Sequence, residues 1–421
     1  MANIIDYIKW RGDLSFDVSP FNELDNAVFS LFSYLDLKDL QNEINSIGVS
    51  LADACRYLIT HDYHYGYMSE INVDFLNSLA TSERFGKVMI LDYIDLYHEK
   101  KYQFSSTGFM YDDSQMYIAF RGTDDSIVAW KEDFMMTYSD LIPAQIDAIE
   151  YLRKQAELFS GSLNISGHSK GGNLSLYASA MQEEDIQNRI QQIYCWDAPG
   201  VHRSILNTEG YQRVVLKAKR YIPQDSIVGL MLESQVPYHI IESQGSGISQ
   251  HSALMWNIED DHFVELTELT RNSQLTDQTF KQWTEVVSDE ELKLFFDAFF
   301  ELFFEMGVET VNDVYYNFRF YVQKFFQKAY QMDTEKREIL LRVGRLLFQI
   351  RYEIWRDTLS VSVEIPTLTL PSVEELVESW TGEHRISVAY QSTEENEEIR
   401  HYYQNRQIQK KLEMKQAKHP E

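Results

Sequence analysis

The chain has 421 residues, of which 44% are hydrophobic and 14% aromatic, and its formal net charge is −27. This length and composition indicate one large domain with an appendage, or two domains, and exclude a disordered chain or a small disulfide-stapled module. The negative charge repels phosphate backbones and anionic lipid headgroups, so nucleic acid is not an expected partner.

The N-terminal segment and the cysteine content favour a cytoplasmic protein. Asp6 and Asp13 stand where a signal peptide would need apolar residues. No run of about eighteen apolar residues occurs, so no transmembrane helix is expected. The only two cysteines, Cys55 and Cys195, are too few for a disulfide framework or a zinc site, so we expect two free thiols and no metal.

The N-terminal part of the chain is predicted to be mostly helical up to about residue 100. The stretch 20–37, PFNELDNAVFSLFSYLDL, has apolar residues at mixed three- and four-residue spacing after a proline. Next, residues 103–122 alternate and turn at DDSQ, which predicts a hairpin ending at Arg121 and Gly122. Residues 143–159 then form a helix opened by a proline.

Strands and helices alternate after this point. SLNISG (162–167) reads as a strand and GGNLSLYASAMQ (171–182) as a helix, while 189–200 and 211–226 read as two further strands. This alternation predicts a mainly parallel sheet covered by helices on both faces. We therefore expect an α/β domain over residues 1–265.

The motif GHSKG sits between the predicted strand and the predicted helix. Gly167 and Gly171 flank Ser169 at two residues on each side, which is the spacing of a nucleophile elbow. A serine on a tight strand-to-helix turn needs neighbours without side chains, because the strand and helix approach closely there. The motif favours a nucleophilic serine over an ordinary glycine-rich turn.

A nucleophilic serine needs a general base and an acid that orients it, in the chain order serine, acid, histidine. His251 lies in a glycine-rich loop, GSGISQHSALMW, and is the predicted base. His239 reads as part of a short strand, and His262 lies among surface acids.

Two aspartates end predicted strands and could serve as the acid. Carboxyl ends of parallel strands meet at the ligand-binding edge of an open sheet, so Asp225 and Asp197 are both eligible. Counting strands favours Asp225. Asp197 is the alternative acid. Its position before Pro199 and Gly200 also fits a carboxylate that only caps a turn, which is why it ranks second.

The predicted oxyanion hole combines the N–H of Lys170, the residue after the serine, with Thr123 from the earlier loop IAFRGTDDS. Gly122 allows the backbone to approach closely there. Arg121 is expected to form an ion pair with a nearby acid such as Asp124.

The last 160 or so residues differ in composition. Residues 290–304 carry a phenylalanine on nearly every helical turn, which predicts helices that pack on each other or on the α/β domain. The alternative is an apolar lid or an acyl-chain groove near Ser169. We expect a helical, Phe-rich region at 266–358 and a linker with a charged tail at 359–421.

The motifs AFRGT, GHSKGG and RYIPQDSIVG with a later histidine resemble those of the class 3 lipases. Residues 3 to about 258, with DYIKWRGDLSF, WKEDF and QHSALMW, more closely resemble an uncharacterised lipase-like family of Gram-positive bacteria. The resemblance implies an α/β-hydrolase fold with a C-terminal helical extension. It also implies Ser169 as nucleophile, Asp225 as acid, His251 as base, and Thr123 and Lys170 at the oxyanion hole.

The sequence therefore predicts a serine hydrolase that cleaves an ester or thioester and needs no cofactor. Its expected partner is a small-molecule or lipid ester. Acyl transfer to another acceptor would use the same residues. The alternative from another class is an inactive lipase-like scaffold with a binding or regulatory role. The oligomeric state and the substrate stay open.

Overall fold

The structure, a computed structural model, describes residues 2–61, 71–98, 102–124, 126–245 and 247–357. All of these described residues belong to one compact unit. The predicted linker and charged tail at 359–421 lie outside the described residues.

A nine-stranded sheet forms the centre of the molecule. A second sheet is a two-stranded hairpin that precedes the last strand of the large sheet in sequence. The strands are β1 (Val49–Ser50), β2 (Met89–His98), β3 (Tyr102–Asp112), β4 (Gln115–Phe120), β5 (Ser162–His168), β6 (Ile190–Trp196), β7 (Ala218–Pro223), β8 (Tyr238–Ile241), β9 (Ile258–Glu259), β10 (His262–Phe263) and β11 (Glu265–Leu266).

Ten helices belong to the described residues of the α/β part: α1 (Ile4–Arg11), α2 (Glu23–Phe32), α3 (Gln41–Ile47), α4 (Leu51–Thr60), α5 (Val73–Thr81), α6 (Ile127–Met135), α7 (Pro143–Leu158), α8 (Lys170–Ala180), α9 (Glu184–Arg189) and α10 (Glu209–Val214). Five more follow: α11 (Arg271–Val286), α12 (Asp289–Glu305), α13 (Val311–Tyr316), α14 (Phe318–Gln331) and α15 (Thr334–Asp357).

The sheet has a parallel centre and antiparallel edges. Its order is β1-β2-β3-β4-β5-β6-β7-β8-β11. Pairs from β4 to β8 are parallel, whereas β1 to β4 and the β8–β11 pair are antiparallel. Because β4, β5, β6 and β7 are parallel neighbours, the loops after their carboxyl ends meet at one edge of the sheet.

Helices bury both faces of this sheet. One apolar cluster joins α1, α2, α4 and α5 to the sheet and contains Phe29, Phe109 and Trp196. A second cluster joins α7, α8 and α10 to the opposite face and contains Ile118, Ile165 and Leu174. These two layers hold β5 and the start of α8 rigidly in the middle of the molecule.

The C-terminal helices form a third apolar cluster with α6. Phe134 of α6 stacks on Phe296 of α12 with ring centroids 4.7 Å apart, and Trp283 of α11 meets Phe295 edge to face. The phenylalanine pattern thus forms helix-packing contacts, as the simpler sequence interpretation predicts. In the part of the chain that the structure describes, no helix is long and apolar enough to cross a membrane.

The predicted fold class is confirmed: a mixed sheet with a parallel centre, helices on both faces and helices at the C-terminal end. The expectation of a mostly helical start missed β2. Asp92 and Asp95 interrupt its apolar residues at a three-residue spacing that imitates a helix, but pairing with β3 along Met89–His98 decides its structure. Similarly, the start of the predicted strand 211–226 is helical, since α10 precedes β7.

Candidate active site

Ser169 lies on a strained turn between β5 and α8. Its φ of 59° and ψ of −133° fall in a region that residues with a side chain rarely adopt. A Cβ on Gly167 would come within 2.2 Å of the Gly171 carbonyl carbon, and one on Gly171 within 2.1 Å of the Phe120 oxygen. Both predicted glycines are therefore required by close backbone approach, as the motif indicates.

His251 lies in a short 3₁₀ turn (Gly247–His251), and its imidazole meets the buried carboxylate of Asp197. The Nδ1–Oδ2 distance is 2.6 Å. The Asp197 side chain is 1% exposed and that of His251 is 22% exposed. His251 is thus held at the end of β6, the strand next to β5.

The carboxylate of Asp197 is fully hydrogen-bonded. Its Oδ1 accepts from the Ser226 hydroxyl at 2.5 Å and from the Gly229 N–H at 3.1 Å, and its Oδ2 faces His251. Asp197 itself has a positive φ of 38°. This conformation, which aspartate tolerates better than most residues, directs the backbone out of β6 at the point where the side chain meets His251.

The prediction that Asp225 is the partner of His251 is wrong. Asp225 Oδ1 accepts from the Thr270 hydroxyl at 2.5 Å, and its Oδ2 accepts from the Gly247 N–H at 3.3 Å. Its own N–H donates to the Gln250 side chain. Asp225 thus holds the loop that leads to His251, while the alternative, Asp197, contacts the imidazole.

His168, the residue before the serine, connects the elbow to the histidine loop. Its Nε2–H donates to the backbone oxygen of His251 at 2.6 Å, and its Nδ1 accepts from the Tyr34 hydroxyl at 2.8 Å. Burial lowers the pKa of His168 well below its usual value, and nearby His251 lowers it further. A neutral imidazole therefore bridges Tyr34, which follows the end of α2, and the histidine loop. The sequence reasoning missed this role, although His168 stands in the motif.

The rings of His168 and His251 lie 4.5 Å apart between centroids, which brings the His251 imidazole over the elbow. Within the described residues, no hydrogen bond joins the Ser169 hydroxyl to His251. The histidines that sequence analysis set aside lie on the surface: His239 pairs with Glu265 and His262 with Asp261.

Lys170 begins α8, so its backbone N–H has no partner within the helix. Thr123 follows Gly122, where a Cβ would lie 2.6 Å from the His168 oxygen, so this loop runs directly beside the elbow. The Thr123 hydroxyl donates to Asp133 Oδ2 at 2.5 Å. Arg121 forms a buried ion pair with Asp95 of β2 at 2.9 Å, rather than with Asp124.

The side chain of Lys170 forms a buried ion pair with α6. Its Nζ lies 2.9 Å from Glu132 and 3.8 Å from Asp133, and the side chains of Lys170 and Glu132 are 2% and 0% exposed. Burial alone would lower the pKa of Lys170, but the two carboxylates outweigh it and raise the pKa. Burial also raises the pKa of Asp133 to about 6. Sequence spacing gave no signal for these contacts.

The sheet, the strained serine turn and the flanking helices make this a lipase-like α/β fold. The chain belongs to the Mbeg1-like family, whose model matches residues 79–301, more than half of the chain. No curated protein matches the chain.

Several solved lipase structures match part of the chain at low identity. A Rhizomucor miehei lipase–propeptide complex is 16% identical, with 52% of this chain and 67% of that chain covered and a TM-score of 0.32. The mono- and diacylglycerol lipase of Aspergillus oryzae is 12% identical over 58% and 81%, with a TM-score of 0.33. A lipase of Rhizopus microsporus var. chinensis is 15% identical over 50% and 75%, with a TM-score of 0.29.

Proposed function

We propose that the protein is a serine hydrolase that cleaves an ester or thioester through an acyl-enzyme on Ser169. The observation that carries the proposal is the 2.6 Å hydrogen bond between His251 Nδ1 and the buried Asp197, beside a serine on a strained turn. With Nδ1–H donating to Asp197, the Nε2 of His251 is left as the proton acceptor. Asp197 takes the place of Asp225 as the acid.

In the acylation step, His251 Nε2 takes the proton of Ser169 as its Oγ attacks the acyl carbon. The hydrogen bond between these two side chains closes when substrate fills the site, since catalytic hydrogen bonds are often long in free enzymes. The N–H groups of Lys170 and Thr123 hold the oxyanion, and the N-terminus of α8 favours its negative charge. The imidazolium then protonates the leaving alkoxide or thiolate.

In the deacylation step, His251 takes a proton from water, whose oxygen attacks the acyl carbon of the Ser169 ester. Collapse of the second tetrahedral intermediate returns the proton to Ser169 and releases a carboxylate. Besides the substrate and water, each step uses side chains and backbone N–H groups of the chain. We place this chemistry in the cytoplasm, in keeping with two buried free thiols at Cys55 and Cys195.

Substrate access to Ser169 requires movement of the helices that cover it, which we take to be α6 and α12. Ser169 is 7% exposed, and α6 is tied to the elbow through the Lys170–Glu132 ion pair. The outer side of α6 packs on α12, where Phe134 contacts Phe296 and Phe300. We therefore place an acyl chain between α6 and the sheet edge, with α12 as the cover that an amphiphile loosens.

The test is the intact mass of the full chain after exposure to a fluorophosphonate probe, with and without detergent. We expect one adduct on the wild type, and none on Ser169→Ala. His251→Ala and Asp197→Asn should be labelled far more slowly. The matched controls are Ser175→Ala, a serine in α8 whose hydroxyl bonds Gly171 O, and His239→Ala on β8.

The proposal is wrong if the wild type stays unlabelled under both conditions while remaining folded. That result would favour the inactive scaffold, and binding partners would become the subject of study. Labelling that persists in Ser169→Ala would place the nucleophile elsewhere.

A further inference from the structure

Arg220 of β7 is a buried cation that forms no salt bridge with any of the described residues. The residue is 6% exposed. Its guanidinium donates to the Gly229 carbonyl, but its Nε has no hydrogen-bond partner among the described residues. In the same part of the chain, no carboxylate forms an ion pair with it. Buried arginines are normally paired, because desolvating the charge is costly.

The neighbours of Arg220 do not supply the missing negative charge. Burial lowers the pKa of Arg220, and Cys195 and Asp197 oppose this shift. Burial raises the pKa of the Cys195 thiol to about 12, so that thiol is neutral at pH 7. Asp197 already accepts hydrogen bonds from Ser226, Gly229 and His251. The guanidinium thus has capacity for one more anion.

Arg220 lines an open cavity of about 430 Å³, within the size range of small-ligand pockets. Leu230, Val236 and Pro237 contribute apolar lining. Lys281 and Asp277, which also line the cavity, form an ion pair with each other, with Nζ and Oδ2 2.9 Å apart.

Glu233 also lines the cavity. Its negative charge opposes a doubly charged phosphate more strongly than a singly charged anion. A singly charged group with a short apolar body fits the single guanidinium and the apolar part of the lining best.

We propose that this cavity binds a small monocarboxylate, whose anion pairs with Arg220 and whose short apolar body contacts Leu230, Val236 and Pro237. The site is distinct from the Ser169 elbow.

Gly229 connects the cavity to the candidate acid. Its carbonyl accepts from Arg220, and its N–H donates to Asp197 Oδ1 at 3.1 Å. A Cβ on Gly229 would lie 2.3 Å from that oxygen, so the contact is close. An anion that draws Arg220 toward itself shifts this peptide and hence the carboxylate that orients His251. This step rests on the proposed function, in which hydrolysis releases a carboxylate. A carboxylate product bound in the cavity would then regulate the enzyme through this coupling.

The experiment is calorimetric titration of the full chain with hexanoate, compared with inorganic phosphate and hexylamine. Using Ser169→Ala throughout separates this binding from acylation, so failure here is distinct from failure of the proposed hydrolase. We expect hexanoate to bind and the other two to fail. Arg220→Gln should weaken binding by about 30-fold or more, as expected for a lost buried charge pair, while Arg220→Lys should retain part of it.

Hydrogen exchange is the second measurement, for the event that the substitutions at Arg220 unfold the protein. It uses the chain that retains Arg220. Hexanoate should slow exchange in residues 228–238 and leave 163–172 unchanged. The proposal is overturned if hexanoate does not bind at millimolar concentration, if phosphate binds as well as hexanoate, or if the protection appears at the elbow instead.

Discussion

Replacing Asp197 by asparagine tests which carboxylate orients His251. In the wild type, Oδ1 of Asp197 accepts from both the Ser226 hydroxyl and the Gly229 N–H. An asparagine keeps its carbonyl oxygen on these two donors, so its NH₂ group must take the position of Oδ2 and face His251 Nδ1. Since two donors cannot bond each other, the imidazole is forced to carry its proton on Nε2, where it can no longer accept the serine proton.

The expected cost of the wrong tautomer is about 10⁴ in rate, which corresponds to about 5 kcal/mol of transition-state stabilisation. The fold should survive, because asparagine has the same shape and tolerates the φ of 38° at this position. The readouts are kcat/KM on a short-chain chromogenic ester and the rate of fluorophosphonate labelling. Thermal unfolding checks that the variant is folded.

Asp225→Asn is the matched control, an aspartate at the end of the neighbouring strand. Its Oδ1 can still accept from Thr270, so only the 3.3 Å bond from Gly247 is lost. That loss is worth about 1 kcal/mol and should slow the reaction less than tenfold. The reasoning is refuted if Asp225→Asn loses more activity than Asp197→Asn, or if Asp197→Asn stays within tenfold of the wild type.

Three further predictions concern the strained turn and the buried charges. In urea titrations, the free energy of unfolding of Ser169→Gly should be about 1 kcal/mol higher than that of Ser169→Ala, because glycine relieves the strain of the φ of 59°. Equal values would contradict strain at this position. Burial raises the pKa of Asp133 from 3.8 to about 6, so its protonated form stabilises the native state at low pH, and this contribution is lost as the pH rises through about 6. The urea midpoint of the wild type should therefore fall relative to that of Asp133→Asn between pH 4 and 7, and parallel curves would refute the shift. Lys170→Met should lose about 3–5 kcal/mol by leaving Glu132 unpaired, and the double variant with Glu132→Met should regain most of it; calorimetric melting checks both.

The elbow could be predicted from sequence because its requirements are local. Gly167 and Gly171 are needed within four residues of each other, and the strand and helix on either side follow from short-range patterns. The hairpin of β3 and β4 and the proline start of α7 are local in the same sense. Each was predicted without knowledge of the tertiary structure.

The choice between Asp197 and Asp225 could not be made this way. Both residues end parallel strands, so the sequence places both at the same sheet edge. What separates them is the direction of each carboxylate, which depends on the positive φ of Asp197 and on the position of the 3₁₀ turn Gly247–His251. The carboxylate of Asp225 instead accepts a hydrogen bond from Thr270, which lies in a later segment. These are contacts between segments distant in sequence, which no spacing rule reports.

Lys170 shows how a chain of charge −27 can place acids beside the proposed oxyanion hole. Glu132 and Asp133 stand on α6, and Asp133 bonds the hydroxyl of Thr123, so unscreened they would oppose negative charge at the proposed oxyanion hole. The ammonium of Lys170, buried between them at 2.9 and 3.8 Å, offsets that field. In the proposed mechanism the same residue also offers its backbone N–H to the oxyanion, so a substitution of its side chain leaves the donor but changes the electrostatic field around it. In the proposed mechanism, Lys170→Met should therefore lower kcat more than it raises KM, whereas Lys170→Arg, which keeps the charge, should restore much of kcat.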